Sequence, residues 1–535
     1  MEVSVRSRAR VLADHQATSF DAIVIGSGFG GTMMAARLIE AGLSVLMLER
    51  GKWVHRDLDN WTSAGMGPFT EHFGKDSPYW LAAGGRRPSR IKTFFCVGGP
   101  SVFYGGVALR FRVSDFQSAP EVTAGSGATW PLGYSDLAPS YHRVEQVLGV
   151  AGDPAADPTD PPRSHPLGRR PLPIGRASYR LAAAARGLGF HPFLLPLAIQ
   201  SQPEGNAPGC IACPTCDGFA CAIGAKNDLA TQVLPRLIRA GLTVLPEVVV
   251  TRLVRRGDAI RTVEAVDGVT GEPLAFRSRE VILSAGALGS PHLILASGLD
   301  AVSPAPRSIG AYLMRHINSA VYGLFPTRQN PERRFTKQFG VHDLYHQDGF
   351  GRVGAIQQLA TPSTSYVRSE VPAPVSWLAP LVVPRSLGFL TIAEDQPAAE
   401  NRVRLDATAV DRFGLPRLLI EHRYSPRDHA ADRILRHHAS RILRAAGALL
   451  TYAHPIRTFS HAVGTLRMGD DPKISPVGPD GRFRGVENLW IADGSVLPRS
   501  GGVNPSLTIA ATADRSAEQL LAHRAILDEV FRAVG

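Results

Sequence analysis

The chain has 535 residues, 44% of them hydrophobic and 20% charged, which is ample for a large core and excludes a disordered scaffold. Its 53 glycines and 41 prolines follow no three-residue repeat, so a collagen-like fibre is excluded as well. The net charge of +11 is carried by six Lys and fifty-two Arg that cluster only as pairs such as Arg86-Arg87, a pattern that argues against a nucleic-acid surface.

The start of the chain is charged, with no apolar stretch behind it, so a secretory signal is not expected. No run of about 18 apolar residues occurs, so no transmembrane segment is expected, and the cytoplasm is the default location. After about eighteen residues of tail, Phe20 to Ile25 is a short buried strand ending at Gly26. A helix from Gly30 to Ala41 follows, with Gly42 as its stop, and Ser44 to Glu49 is a second strand. Together they make a βαβ unit. Seven prolines between Ala151 and Arg176 mark a linker or surface excursion. Short β-rich runs return at Gly241 to Arg256 and at Arg277 to Ala285. From Ala320 to Tyr452 the βαβ rhythm fades, and after Ile456 a glycine-rich, strand-like pattern closes with a helix. The expected fold is α/β, a Rossmann-like nucleotide-binding domain interleaved with a sheet-containing substrate domain.

Gly26-Ser27-Gly28-Phe29-Gly30-Gly31 fits G-x-G-x-x-G between a strand and a helix. Gly26 permits the tight turn, Gly28 lets the backbone approach a pyrophosphate, and Gly31 allows close packing of helix on strand. Glu49 ends the next strand about twenty residues on, where an acid meets ribose hydroxyls. The alternative is a turn that serves packing alone. These residues do not separate NAD from FAD.

Three further stretches do. Ser284-Ala285-Gly286-Ala287-Leu288-Gly289-Ser290-Pro291 to Leu299 resembles a signature of the glucose–methanol–choline (GMC) flavoprotein oxidoreductases. Val97-Gly98-Gly99-Pro100-Ser101 is similar to that family's loop over the flavin. His461-Ala462-Val463-Gly464-Thr465 to Gly469, Ile491 to Ser495, and Asn504-Pro505-Ser506 resemble its C-terminal motifs. The resemblance spans nearly the whole chain in family order. It implies an FAD domain in three pieces, 18–120, 205–319 and 455–535, with 121–204 and 320–454 forming the substrate domain and excursions. The cofactor-binding set it implies is Gly26, Gly28, Gly31, Glu49, Gly98, Gly99, Ser101, Val249, Asp493, Gly494, Asn504 and Pro505. Phe103 stands where members with covalent FAD carry the attaching histidine, so FAD is expected to be noncovalent. Tyr104 replaces a frequent Asn, and Asp300 a usual glycine in a variable turn.

The implied activity is oxidation of a CH–OH group. Carried over, His461 is the general base that takes the hydroxyl proton as hydride leaves carbon for flavin N5, and its reference pKa of about 6.5 suits the task. Asn504 matches the family's second catalytic position, where its amide can donate to the substrate oxygen. Locally Asn504 also reads as a helix N-cap with Pro505 at the first helical position. His316, in Leu313-Met314-Arg315-His316, reads as structural. Trp377, Leu378, Leu381, Val382, Val383, Leu387 and Phe389 hint at an apolar channel and hence a sterol, lipidic or aromatic alcohol. The electron acceptor is oxygen or another carrier. A GMC-fold lyase with no net redox is the alternative, and a nucleotide-binding protein without catalysis would normally have lost His461 or Asn504.

Cys210, Cys213, Cys216 and Cys221 crowd before Ala222-Ile223-Gly224-Ala225-Lys226. Their spacing admits an iron–sulfur cluster, although the ferredoxin-type run ends with a shorter gap and a proline. Zinc fits poorly, since its C-x2-C pairs are separated by a longer loop. The preferred reading is a loop of reduced or partly disulfide-bonded thiols, and Cys96 reads as core.

Overall fold

The computed structural model describes residues 5–534 apart from 75, 84, 85 and 206. The stretch expected as a tail is a helix, Val5–Ala17. Arg8 binds Asp267 at 2.8 Å and the carbonyls of Pro246 and Glu247, and Leu12 is buried, so this helix is fastened to the body behind it. The expectation failed because the helix has a weakly apolar face, while its anchor is an ion pair distant in sequence.

Among the described residues, two seven-stranded sheets organise the chain. The first runs in the order Thr243–Pro246, Val45–Glu49, Ser19–Ile25, Pro273–Leu283, Ala259–Asp267, Val248–Arg256, and Leu489–Ile491 lies against Pro273–Leu283. Its central pairings are parallel, for example Ile23 beside Leu46 and Val281. Parallel strands covered on both faces read as continuous apolar runs, and Val45–Glu49 is buried at every position. The helix Phe29–Glu40 follows the first strand, and the C-terminal helix Ser506–Val534 packs beside it. The architecture is thus the α/β, Rossmann-like arrangement expected.

The second sheet is antiparallel in its main ladder, where Ile317–Leu324 pairs with Ser386–Ala393 and Leu450–Pro455. Helices Pro426–Ala445 and Arg176–Gly187 close one face through Leu181, Ala431, Leu435, Ala439 and Ile442. The excursion after Ala151 begins with a strand of this sheet, Ala151–Asp153, paired with Phe193–Leu197. A four-stranded sheet joins Arg402–Val410 and Pro416–Glu421 to Tyr79–Ala83 and Arg86–Arg90.

The apolar run from Trp377 to Leu390 does not form one lining. Trp377, Leu381 and Val382 are exposed on or beside short helices, whereas Leu387 and Phe389 lie in the core of strand Ser386–Ala393. Two prolines, Pro380 and Pro384, break the run into turns, and only its end regains the strand pattern. No described helix is long and apolar enough to cross a membrane.

Candidate active site

At the glycine turn, sterics reserve one place and close the others. Gly26 has φ +100°, and a Cβ there would overlap the Ser284 carbonyl. A Cβ on Gly31 would strike the Gly26 carbonyl, and one on Gly30 the Ala492 carbonyl. Gly30 falls between the fingerprint's fixed positions and was missed for that reason. A Cβ on Gly28 would meet no atom within 4 Å. Gly28 is the N-cap of Phe29–Glu40, and no side chain caps that helix end. Its first-turn N–H groups are unclaimed by capping and carry the positive end of the helix dipole, which suits a phosphate.

The second glycine loop faces the first. A Cβ on Gly99 would lie 3.3 Å from Gly28 Cα, and the Gly98 N–H donates to Ser27 Oγ at 2.9 Å. Ser101 fixes the loop by donating to the Gly98 carbonyl and accepting from the Leu229 N–H. Glu49 is buried and accepts from Ser27 N–H, Ser27 Oγ and Gly51 N–H. Burial raises its carboxyl above the usual range despite these donors. Asp493 accepts from Gly286 N–H, Ser290 Oγ and Ser495 N–H, which joins the middle and C-terminal motifs at one carboxylate. Gly494 follows it, its N–H-bearing turn packed against Ala462 and Val463. Val249 is buried in its strand and pairs with Val266. An open backbone cradle at a helix N-terminus, with a carboxylate at the end of the neighbouring strand, fits a dinucleotide such as FAD. Phe103 is buried and stacked on Phe94, with ring centroids 4.5 Å apart.

On the other side, His461 and Asn504 come from separate segments. Met314 and Val463 form an antiparallel bridge, exchanging N–H···O bonds of 3.0 and 2.9 Å. Residues two steps away in opposite directions then face each other, which places His316 opposite His461. Their Nδ1 atoms are 3.0 Å apart. Burial, then the neighbouring His316 and Lys337, push His461 well below its ordinary value of 6.5, against an opposite pull from Asp395. It is therefore a neutral base at neutral pH. Its Nε2 has no hydrogen-bond partner among the described residues.

Asn504 does not cap the last helix. That helix starts at Ser506, and the Pro505 carbonyl takes the Ile509 N–H at 2.8 Å, so the cap position has moved one residue on. Asn504 Oδ1 accepts from Gln357 Nε2 at 2.7 Å. That bond orients the amide and leaves Nδ2 without a protein acceptor among the described residues. His461 and Asn504 share no hydrogen bond. They are linked through His316, whose Nε2 meets the carbonyls of Ser500 and Gly501 just before Asn504. Gln357 and His316 were missed as parts of this site. The signal for His316 lay in the paired spacing of Met314 and Val463, which only the fold reveals.

The cysteine loop does not hold a metal. Among the described residues no group of three or more His, Cys, Asp or Glu could bind one. Cys210, Cys213, Cys216 and Cys221 instead line, with Ile199, Ile223 and Phe335, a cavity of about 10 Å³. That volume barely admits one water. Burial pushes Cys210 up to about 11 and Cys216 up to about 12, so these thiols stay protonated, whereas cluster ligands must be thiolates. All four are free, with no disulfide between them, and Cys96 is fully buried as expected.

Two sequence profiles described as GMC oxidoreductase match residues 20–318 and 397–513. Paromamine 6'-oxidase of Streptomyces fradiae is 31% identical over 93% of this chain and 91% of its own. 6'''-hydroxyparomomycin C oxidase of Streptomyces lividus is 30% identical over 95% and 92%. The crystal structure of pyridoxine 4-oxidase from Mesorbium loti superposes with a TM-score of 0.68 at 20% identity, covering 93% of this chain and 98% of that one.

Proposed function

The chain belongs to the GMC oxidoreductase family, FAD-dependent enzymes acting on CH–OH groups, and from that premise we propose that it oxidises an alcohol with His461 as general base and Asn504 as hydrogen-bond donor. The observation that carries this reading is the pair of unclaimed atoms, His461 Nε2 and Asn504 Nδ2, on two segments tied together by His316. Bound noncovalently, FAD supplies the hydride acceptor; residues 18–120, 205–319 and 455–535 would hold it.

His461 Nε2 takes the proton of the substrate hydroxyl. Low basicity keeps this nitrogen unprotonated before the reaction. Asn504 Nδ2 donates to the same oxygen and stabilises the negative charge that grows there as the proton leaves. Gln357 stops the amide from flipping, so the donor is in place before substrate arrives.

The substrate we favour is polar and hydroxylated rather than a sterol or lipid. Asn504 and the buried Gln357 make one wall polar, and the apolar run around Trp377 is split between surface and core. The relatives named for paromamine and 6'''-hydroxyparomomycin C support the same choice.

Purified protein is expected to be yellow, to release FAD on denaturation, and to lose its flavin absorbance anaerobically on adding a polyhydroxylated alcohol. Reoxidation by air against a dye then identifies the acceptor. Bleaching by cholesterol but by no polar alcohol would overturn the substrate class. A flavin that no alcohol bleaches would overturn the oxidation.

A further inference from the structure

His316 is 1% exposed, and its Nε2 lies 3.0 Å from the Ser500 carbonyl oxygen and 2.9 Å from that of Gly501. A carbonyl only accepts, so the proton of the neutral ring sits on Nε2. Nδ1 of His316 then carries a lone pair. Opposite it, at 3.0 Å with the rings nearly perpendicular, is His461 Nδ1, which must be the donor. A neutral imidazole that donates from Nδ1 keeps its lone pair on Nε2.

We propose that His316 is a positioning residue that holds His461 in the Nδ1–H tautomer, making Nε2 the atom that accepts the substrate proton. The proposal rests on the reading of His461 as base. It parallels the way a buried partner fixes a ring by binding its other nitrogen, where the wrong tautomer disarms the base.

The device is braced on both sides. The His316 N–H donates to Asp395 Oδ1, and its carbonyl accepts from Tyr424 Oη at 2.7 Å, which holds the residue at φ +59°. Ser500 Oγ donates to Asp395 at 2.8 Å, and Arg499 grips both Glu394 oxygens at 2.6 and 2.8 Å. The carbonyls that dictate the His316 proton are therefore fixed by two adjacent acids at the end of strand Ser386–Ala393. The charged and titratable groups facing the histidine pair are Asp395, Lys337 and, behind Asp395 at 3.6 Å, His422. A proton added to His316 would sit on Nδ1, point at His461 and drive the His461 proton onto Nε2. Only the neutral pair is armed.

The test compares His316→Gln with His316→Met in the flavin-loaded protein, together with nitrogen-15 NMR of histidine-labelled protein. Glutamine and methionine match in length and backbone preference. Only the amide can donate to the two carbonyls while accepting from His461 Nδ1. Anaerobic flavin reduction is expected to fall about 10²-fold further in His316→Met than in His316→Gln at equal flavin content. The NMR signals that disappear in His461→Ala should show Nδ1 protonated and Nε2 unprotonated in the wild type. A wild-type His461 protonated on Nε2, or equal rates in the two variants, would overturn the proposal. If His316→Met does not fold, the wild-type tautomer still decides. Unchanged reduction in His461→Ala, with the tautomer as stated, would instead remove the base assignment beneath it.

Discussion

In the glycine turn, Cβ atoms on Gly26, Gly30 and Gly31 would strike backbone carbonyls, and beside Gly28 there is open space. In the cysteine loop, four sulfurs close over a cavity of about 10 Å³, and burial keeps the protons of Cys210 and Cys216 in place. Both segments are dense motifs, and both lie at conformationally demanding turns. The difference is what their surroundings leave free. The glycines pack everything except one approach to a helix N-terminus, whereas the cysteines face one another, Lys226 and apolar side chains. Lys226 itself is buried and donates to the carbonyls of Tyr104, Cys216 and Phe219. It staples the cysteine loop to the end of the loop that faces Gly28. A motif acquires chemistry from an unfilled place, not from its density.

The largest effect expected from this contrast is at Gly28. Gly28→Val should fold, because its side chain enters open space, yet lose flavin entirely, since that space is the phosphate approach. Absorbance of the purified variant checks this, and full flavin content would break the comparison. Lys226→Met should cost about 3 kcal/mol, because it strands three buried carbonyls at once. Denaturant titration with flavin fluorescence as a second probe would reveal whether the flavin loop loosens with it. Cys213→Ser should be milder still: protein made anaerobically should contain no iron or sulfide with or without it, and flavin reduction should stay within about twofold of wild type. The smallest effect is that of pH. Because the folded value of His461 is depressed, the base form persists as pH falls through 6.5, and reduction should be level from pH 9 to 6 and decline only in stronger acid. A decline centred at or above 6.5 would mean that the neutral histidine pair is lost there.

The nucleotide half was legible because parallel strands are continuous apolar runs and the turn between them needs glycine at fixed spacing. Even there, Gly30 escaped, since its constraint is the Ala492 carbonyl, remote in sequence. The helix Val5–Ala17 was read as tail because its hold on the body is an ion pair to Asp267. In the half that holds the candidate site, His461 and Asn504 were named by resemblance, but what orients them was not. Gln357 lies in an antiparallel strand and Glu394 and Asp395 just past another, and their meaning depends on strand pairing. The helix cap assigned to Asn504 lies at Pro505, and the Asn504 side chain oxygen is bound to Gln357, a partner remote in sequence. Thiol spacing was legible, but the burial that keeps Cys210 and Cys216 protonated was not.

The central claim is that His461 takes the substrate proton. Rapid mixing of His461→Ala with saturating alcohol under anaerobic conditions isolates flavin reduction from reoxidation and tests the claim most directly. Flavin content should equal that of the wild type, and the reduction rate should fall by about 10²–10⁴, the usual worth of a positioned general base. A rate near that of the wild type across pH 6–9 would contradict it.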